Sequence, residues 1–506
     1  MFRVRTTKTS SGGTAVQIIF NRGHKIKLLK HVGTANNAKE LEDLKILANQ
    51  YISSSNKFPP LIPEALTDPG SHQDLVSLKN LSVSRAFHHF AREILIHWYN
   101  HNGFGKINNP ILRDLVIMRI IEPASKLYTL SLLPEYFDVK YPKNKVYDYL
   151  KQVPKLKDPV ESLAFEYAKK NFILTYSLVF YDVTTLYFET SVQEDADGLN
   201  IRRPGFSKDN KSSQPQILIG LLVNREGYPL AYDIFPGNTF EGKTFIPVIL
   251  GLKQRFNLGD LTVVADAAML SLSNMEELQK QGLHYIVGAR LANLPTRTIT
   301  SISQALTKTE NKYYQTQTSK GTLICDYSHK RAIKDKSDRN KQLRRAQYQI
   351  DHPEQILKRS RFIITETAVS LSQKLIRKDE LLDGLKGYYT NLRDIDSQTI
   401  ISRYKDLWHV EKSFRIAKSD LLARPVFHYK KDSIEAHILI VFMALCLTKS
   451  IELKTQLSTK RVKRLIWRIM DVELIDKLTG KHYPKRMELG ADPDLFRLIN
   501  IPKSAY

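Results

Sequence analysis

A mixed α/β core is predicted for the central part of this chain by three observations. Between about residues 172 and 289, apolar runs of strand length alternate with amphipathic segments of helix length. The first of these runs follow one another through tight connections, as antiparallel strands do, and the later ones are separated by helices, as parallel strands are. That order suits a mixed sheet covered by helices. Residues 290–382 then break the rhythm with short β-like runs, which marks an insertion.

Residues 1 to about 35 alternate apolar and polar positions around Ser11-Gly12-Gly13, as in Ala15-Val16-Gln17-Ile18-Ile19-Phe20, and are read as a β-hairpin. A short helix over 38–52 completes a small unit, 1–56. Residues 57–80 are rich in Pro, Ser and Gly and read as a linker. A helical domain is expected over 81–170. Its apolar residues recur at helical spacing (Phe87, Phe90, Ile94, Trp98, then Leu112, Leu115, Val116, Ile120), and Pro123 stops one helix. Its basic residues, among them Arg113, Arg119, Lys126 and Lys145, suit DNA contact or a solvated face equally.

The first part of the core, 171–289, holds strand candidates at 177–183, 185–189, 216–223, 228–234, 261–265 and 284–288, with helices at 241–256 and 271–281. The insertion, 290–382, is expected to be β-rich, from runs at 312–317, 322–327 and 362–366. It also carries a basic stretch, 330–345, in which eight of sixteen residues are Lys or Arg. Such a run is a solvated face or a grip on a polyanion. The core resumes over 383–430 with a strand containing Gly387-Tyr388-Tyr389-Thr390 and a helix over 400–422. A helical region, 431–506, ends the chain. Its most apolar run, 438–447, lies between His437 and Lys449 and is too short to span a bilayer, so it reads as a buried helix.

Lys and Arg total 76 against 52 Asp and Glu, a formal charge of +24. An excess of this size favours a polyanionic partner bound in a salt-sensitive way. The two cysteines, Cys325 and Cys446, form no CxxC or Cys/His pattern, which argues against a disulfide scaffold and a zinc finger. The start, Met1-Phe2-Arg3-Val4-Arg5, lacks the apolar stretch of a signal peptide, and a cytoplasmic protein is expected.

Three acidic residues stand out. Asp182 ends the run Leu178-Val179-Phe180-Tyr181, Asp266 ends Leu261-Thr262-Val263-Val264-Ala265, and Glu411 lies in the expected helix. Two carboxylates at strand tips and one on a helix can meet at a sheet edge. There they can hold two divalent metals roughly 4 Å apart, which is the apparatus of phosphodiester cleavage. Tyr404, Glu411 and Lys418 are spaced seven and seven, near one face of a helix about 21 Å long. That face would offer a phenol, a carboxylate and an ammonium to one DNA strand. Trp408 either packs against the sheet or stacks on a displaced base. Glu189 reads as a surface residue, and Asp195, Asp197 and Asp209 as loop residues. Lys208 is a loop charge or a DNA contact. His428 and His437 either orient phosphates or are satisfied core or helix-face histidines, the second being the more common case, and they are not named as ligands.

With these residues in view, the chain resembles DDE-type insertion-sequence transposases with an RNase H-like catalytic core. More narrowly, it is similar to the subgroup with a β-rich insertion before the catalytic Glu and a Tyr, Arg, Glu, Lys signature at gaps of two, three and six residues. Tyr404, Glu411 and Lys418 match in identity and spacing, whereas Leu407 stands where the Arg is expected; Arg403, Lys405 and Arg415 are nearby charges. Also similar, and in the same order, are Arg119-Ile120-Ile121-Glu122-Pro123-Ala124-Ser125-Lys126, Tyr181-Asp182-Val183-Thr184-Thr185, Gly205-Phe206-Ser207-Lys208-Asp209, Pro236-Gly237-Asn238-Thr239, Val264-Ala265-Asp266 and Arg424-Pro425-Val426. The resemblance implies that Asp182, Asp266 and Glu411 hold two Mg²⁺ ions, although oxygen ligands suit Mn²⁺ as well. It also implies DNA contacts from Tyr404, Lys418, Arg415, Lys208 and Trp408. The reaction implied is cleavage at the ends of an insertion sequence, then transfer of the freed 3′-hydroxyl. The partner is double-stranded DNA, both inverted-repeat ends and target, and the need to pair two ends implies a homodimer. Three alternatives remain: an RNase H-like nuclease or resolvase, an inactive transposase-derived DNA-binding protein, and a phosphatase-type hydrolase with Asp182 as nucleophile.

Overall fold

The computed structural model describes residues 2–10, 12–22, 25–55, 78–172, 178–189, 201–207, 213–269, 271–352, 361–364, 370–488 and 492–499. Most of the expected linker therefore lies outside the described residues. The alternating N-terminal segment forms three antiparallel strands rather than one hairpin: β1 (Phe2–Lys8), β2 (Thr14–Arg22) and β3 (Lys25–Ala35). Helix α1 (Ala38–Ser55) covers them, packing Leu44 and Ala48 onto Val16 and Ile18. Next comes strand β4 (Leu81–Phe87), inside the stretch expected to be helical.

Helices then dominate as expected: α2 (His89–His101), α3 (Pro110–Ile121), α4 (Lys126–Phe137), α5 (Lys143–Leu150) and α6 (Lys157–Asn171). Their starts are written locally. Asn109 accepts from the Leu112 N–H at 3.0 Å and Pro110 takes the first turn of α3, while Ser125 accepts from the Tyr128 N–H at 3.2 Å to start α4.

The core begins with β5 (Leu178–Tyr187), β6 (Gln216–Val223) and β7 (Pro229–Pro236), an antiparallel meander. The two strands expected at 177–189 are one, because Val183, Thr184 and Thr185 keep the chain extended while β6 pairs along it from Phe180 to Tyr187. Helix α7 (Glu241–Phe256), strand β8 (Thr262–Ala265), helix α8 (Leu272–Lys280) and strand β9 (His284–Ala289) follow, with β8 parallel to both β5 and β9. In the order β7-β6-β5-β8-β9, β6 alone runs opposite to the other four strands, which is the RNase H-like arrangement.

The insertion departs from expectation. It contributes α9 (Thr296–Leu306), β10 (Tyr313–Thr318), β11 (Gly321–Tyr327), α10 (His329–Asp351), the two-residue strands β12 (Ile363–Ile364) and β13 (Ser370–Leu371), and α11 (Gln373–Leu381). Helix outweighs strand, because the polar, Lys- and Arg-rich stretch around 330–345 propagates as one long helix. Its strands do not form a separate β body either. Strand β14 (Leu385–Thr390) pairs with β9 on one side and β11 on the other, so β14, β11 and β10 extend the central sheet to eight strands.

After β14 come α12 (Ser397–Lys405), α13 (Trp408–Arg415) and a π turn over Ile416–Asp420, then α14 (Lys431–Thr455) and α15 (Thr459–Trp467). Helix α14 has a mean hydropathy of 1.8 over its most apolar window, of which 94% is buried in the fold. It is longer than the ten-residue run suggested and packs as a core helix. The C-terminal region is not wholly helical: β15 (Ile469–Asp476) and β16 (His482–Glu488) form a hairpin, followed by α16 (Asp494–Ile499). Strand β15 also pairs with β4, Asp471 opposite Phe87. Partners that far apart in the chain leave no local signal.

Two compact units result, one of Met1–His89 with Ile469–Gly490, the other of Phe90–Arg468 with Ala491–Tyr506. The larger contains the mixed sheet and everything that follows.

Candidate active site

Strands β5 and β8 adjoin where the strand order reverses, the usual place for a site in an open α/β sheet. Their parallel register sets Tyr181 beside Ala265, so the next residues, Asp182 and Asp266, follow on neighbouring chains at the same level. Only Asp266 is at a strand tip. Asp182 is mid-strand, because β5 runs on to Tyr187. Alternation along β5 puts Asp182 on the face of Thr184 and Leu186. Those two line a small cavity with Phe414 and Ala417, so Asp182 faces the side that the Glu411 segment covers.

Asp266 is exposed; one of its carboxylate oxygens accepts from the Ala267 N–H at 2.6 Å and from the Tyr404 hydroxyl at 3.4 Å. Tyr404 is buried. Burial first, then the charges of Asp266 and Glu411, raise its phenol above the ordinary value, so it stays protonated and donates. Glu411 is exposed in the first turn of α13. Asp266, Tyr404 and Glu411 are thus electrostatic neighbours, although they are 138 residues apart at the widest hydrogen-bonded pair.

The single straight helix expected over 400–422 is not formed. The N–H groups of Leu407, His409 and Val410 bond three residues back, a tightened turn between α12 and α13, and Leu421 bonds five back at the π turn. A three-residue repeat eclipses positions three apart. It therefore aligns Tyr404, Leu407 and Val410, all buried, in one inward row and leaves Glu411 exposed beside it. Lys418, in the π turn, lines the apolar cavity next to Phe414 instead of continuing a ladder from Tyr404. Arg415 is exposed at the end of α13. Trp408 is 49% exposed, its ring stacked on His409 at 3.9 Å. Lys208, Asp195, Asp197 and Asp209 lie outside the described residues.

Residues that sequence reasoning passed over complete the neighbourhood. The Lys386 ammonium, on β14, sits 4.6 Å from the centre of the Tyr404 ring and 5.7 Å from that of Tyr388. Burial pulls its pKa below the ordinary lysine value, and Arg331 adds to this while Asp326 and Asp266 oppose it. A groove of about 550 Å³ runs from Asp266 past Arg290, Arg331, Lys386 and Tyr404. The basic stretch divides accordingly. Arg331, Lys330 and Lys334 line open clefts, whereas Arg339 is buried in a two-pronged ion pair with Asp383. Alternation of Lys386 and Tyr388 along the strand was the one signal available for Lys386, and it means little until β14 is known to adjoin β9.

Gly288 makes room for Tyr404. A Cβ there would stand 2.5 Å from the Tyr404 hydroxyl and 3.2 Å from its ring. Gly288→Ala is expected to displace Tyr404 and cost about 1–3 kcal/mol as overpacking, measured as a lower denaturant midpoint. Adding Tyr404→Phe, which removes the clashing oxygen, is expected to restore part of that loss; no recovery would place the strain elsewhere.

Three carboxylates are hard oxygen donors of the kind Mg²⁺ prefers. Among the described residues no three His, Cys, Asp or Glu side chains are grouped closely enough to cage one ion. The donor set instead suits ions each held by one or two carboxylates, with water and substrate phosphates completing the shell, as Mg²⁺ commonly is.

No curated protein matches the chain. Among solved structures, the cryo-EM structure of piggyBac transposase synaptic complex with hairpin DNA is similar at 10% identity and a TM-score of 0.36, covering 73% of this chain and 70% of that one. The family model described as Transposase DDE domain matches residues 175–447, from the first core strand through Glu411 into α14. That span is more than half of the chain, which therefore belongs to the transposase DDE domain family and is an enzyme acting on DNA, a DNA transposase.

Proposed function

We propose that the protein cuts DNA at the ends of an insertion sequence and joins the freed 3′-hydroxyl to target DNA, with Asp182, Asp266 and Glu411 as the catalytic carboxylates. The observation that carries this is the β5–β8 register: it brings Asp182 beside Asp266, and Tyr404 links Asp266 to the segment bearing Glu411. The three carboxylates would hold two Mg²⁺ ions. When bound, these lower the pKa of the attacking water or hydroxyl and neutralise charge on the leaving oxygen. The chain's own part is placement. Tyr404 orients Asp266 by its hydroxyl, and the cations of the adjoining groove seat the phosphates on either side of the scissile one. A half-exposed Trp408 beside Glu411 is placed to stack on an unpaired base. Two ends must be joined in one event, which implies a homodimer on paired inverted repeats.

The chain is read as a member of the subgroup with the Tyr, Arg, Glu, Lys signature, with one departure. Leu407 is buried in the inward row, so no cation projects from that position. Positive charge is supplied instead beside Tyr404, by Lys386 over its ring and by Arg331, whose charge acts on its hydroxyl. Lys386→Met keeps the apolar stem and is expected to leave folding intact. It should weaken binding of element-end DNA and lower the slope of log K against log[salt] by about 1. An unchanged slope would remove Lys386 from the DNA contact.

The test of the function uses a plasmid carrying the gene's own flanking DNA, incubated with the purified full chain with and without Mg²⁺. Paired, metal-dependent breaks at two inverted ends are expected. Salt-sensitive binding without breaks would favour an inactive DNA-binding relative, and breaks that need no second end would favour a simple nuclease.

A further inference from the structure

The turn between α3 and α4 gathers buried cations with no described carboxylate to balance them. Arg119 and Lys126 are 6% and 3% exposed. Arg119 donates one N–H to the Ala124 carbonyl at 3.0 Å. Lys126 opens α4, at the positive end of the helix, which is an unfavourable place for an ammonium. Its ammonium makes no hydrogen bond among the described residues. The rings of His428 and His437 lie 5.5 Å apart, and α14, which carries His437, packs against α3, which carries Arg119; the charges of Arg119 and Lys126 act on both rings. The His437 Nε2 lies 3.1 Å from the Ala423 carbonyl, and its Nδ1 is buried without a partner.

Burial is the first cause acting on all four groups. It lowers Arg119 to about 10, Lys126 well below the usual lysine value, His428 to about 4, and His437 well below the usual histidine value. The further charges acting on Lys126, His428 and His437 are one another and Arg119, and no described carboxylate is among them. Glu122, the acid nearest in sequence, is hydrogen-bonded by the Tyr136 hydroxyl. Burying a charge without a partner costs several kcal/mol. Four bases on which no described carboxylate acts leave an imbalance that an anion with several acceptor oxygens would offset.

We propose that Arg119, Lys126, His428 and His437 form a binding site for one phosphate group, separate from the Asp182, Asp266 and Glu411 site. Arg119 offers a planar fork for two phosphate oxygens and Lys126 a point charge. The first turn of α4 adds the positive end of its dipole. The phosphate is either part of a DNA backbone or free inorganic phosphate, and the affinity of these four groups for inorganic phosphate is independent of cleavage at the carboxylates.

The test begins with thermal melts of the full chain in phosphate-free buffer, titrated with inorganic phosphate against NaCl of equal ionic strength. The wild type is expected to melt higher as phosphate is added, because a ligand of the folded state stabilises it by mass action. Lys126→Met removes the unbalanced charge and keeps the stem. It should melt no lower than wild type without phosphate and need at least about tenfold more phosphate for the same shift. Lys126→Gln serves the same purpose if the Met variant does not fold. A second arm measures the salt dependence of binding to a short duplex. A slope reduced by about 1 in the variant assigns the site to a DNA phosphate; an unchanged slope with the phosphate shift lost assigns it to free phosphate. Absence of any phosphate shift in the wild type together with an unchanged slope overturns the proposal. A shift fully retained in the variant also overturns it, since phosphate would then be bound elsewhere, as in the groove by Lys386.

Discussion

Glu411→Gln is expected to abolish cleavage while the protein still folds and still binds DNA. Glu411 is exposed on α13, and the substitution keeps its size. Surface changes of this kind alter stability by about 0.5 kcal/mol or less. In the proposed role, loss of the carboxylate would remove a metal ligand whose charge stabilisation is worth several kcal/mol at the transition state, which corresponds to a rate loss on the order of 10³-fold or more. Asp266→Asn should do the same, because Asp266 is equally exposed and the Ala267 N–H can still find an acceptor in the amide oxygen. Chelation of divalent metal should copy both variants, and added Mg²⁺ should restore only the wild type. The measurements are the rate of end cleavage, the melting temperature and the affinity for end DNA, taken together. Cleavage by Glu411→Gln at the wild-type rate would remove Glu411 from the chemistry; loss of all three would make it a structural residue.

Glu161→Gln carries the largest expected stability effect, about 3 kcal/mol, at the lower end of what breaking a buried ion pair costs. The Glu161 side chain is fully buried between α6, β7 and α7. It accepts the Tyr232 N–H at 2.9 Å, lies 3.3 Å from Lys157 and pairs with Arg255. The substitution leaves the Tyr232 bond an acceptor but removes the charge facing two cations. The cost stays near the lower end because Lys157 keeps Asp233 at 2.8 Å and Arg255 keeps Asp158 at 2.8 Å. These elements frame the antiparallel side of the sheet that carries Asp182. The expected result is a lower urea midpoint at unchanged m, with cleavage near normal below the transition. A midpoint within about 0.5 kcal/mol of wild type would show the cations to be satisfied by Asp158 and Asp233 alone.

Much of the core was legible from local pattern. The helix expected over 241–256 is Glu241–Phe256, and the strand expected over 216–223 is Gln216–Val223. Both are segments where apolar spacing and turn residues agree. Expectation failed where distant pairing decided the outcome. Leu81–Phe87 is a strand because β15 lies beside it, with the Ser84 hydroxyl reaching the Glu473 carbonyl 389 residues away. The basic insertion is helical because no apolar alternation opposes helix propagation there. The helix over 400–422 is broken by a tightened turn, where Leu407, His409 and Val410 bond three residues back, and by a π turn at Leu421, and neither left a signal in the apolar spacing.

The sequence by itself determined the strand and helix periods of the core, the order of the three acidic residues and the positive charge, since each is a property of neighbouring residues or of composition. Only the tertiary structure decided that Asp182 sits within a strand and not at its tip, that Lys386 lies over the Tyr404 ring, and that the buried Arg119 and Lys126 act on His428 and His437. Strand register and the closing of segments hundreds of residues apart determine those positions, and both are set by packing that no local stretch of chain records.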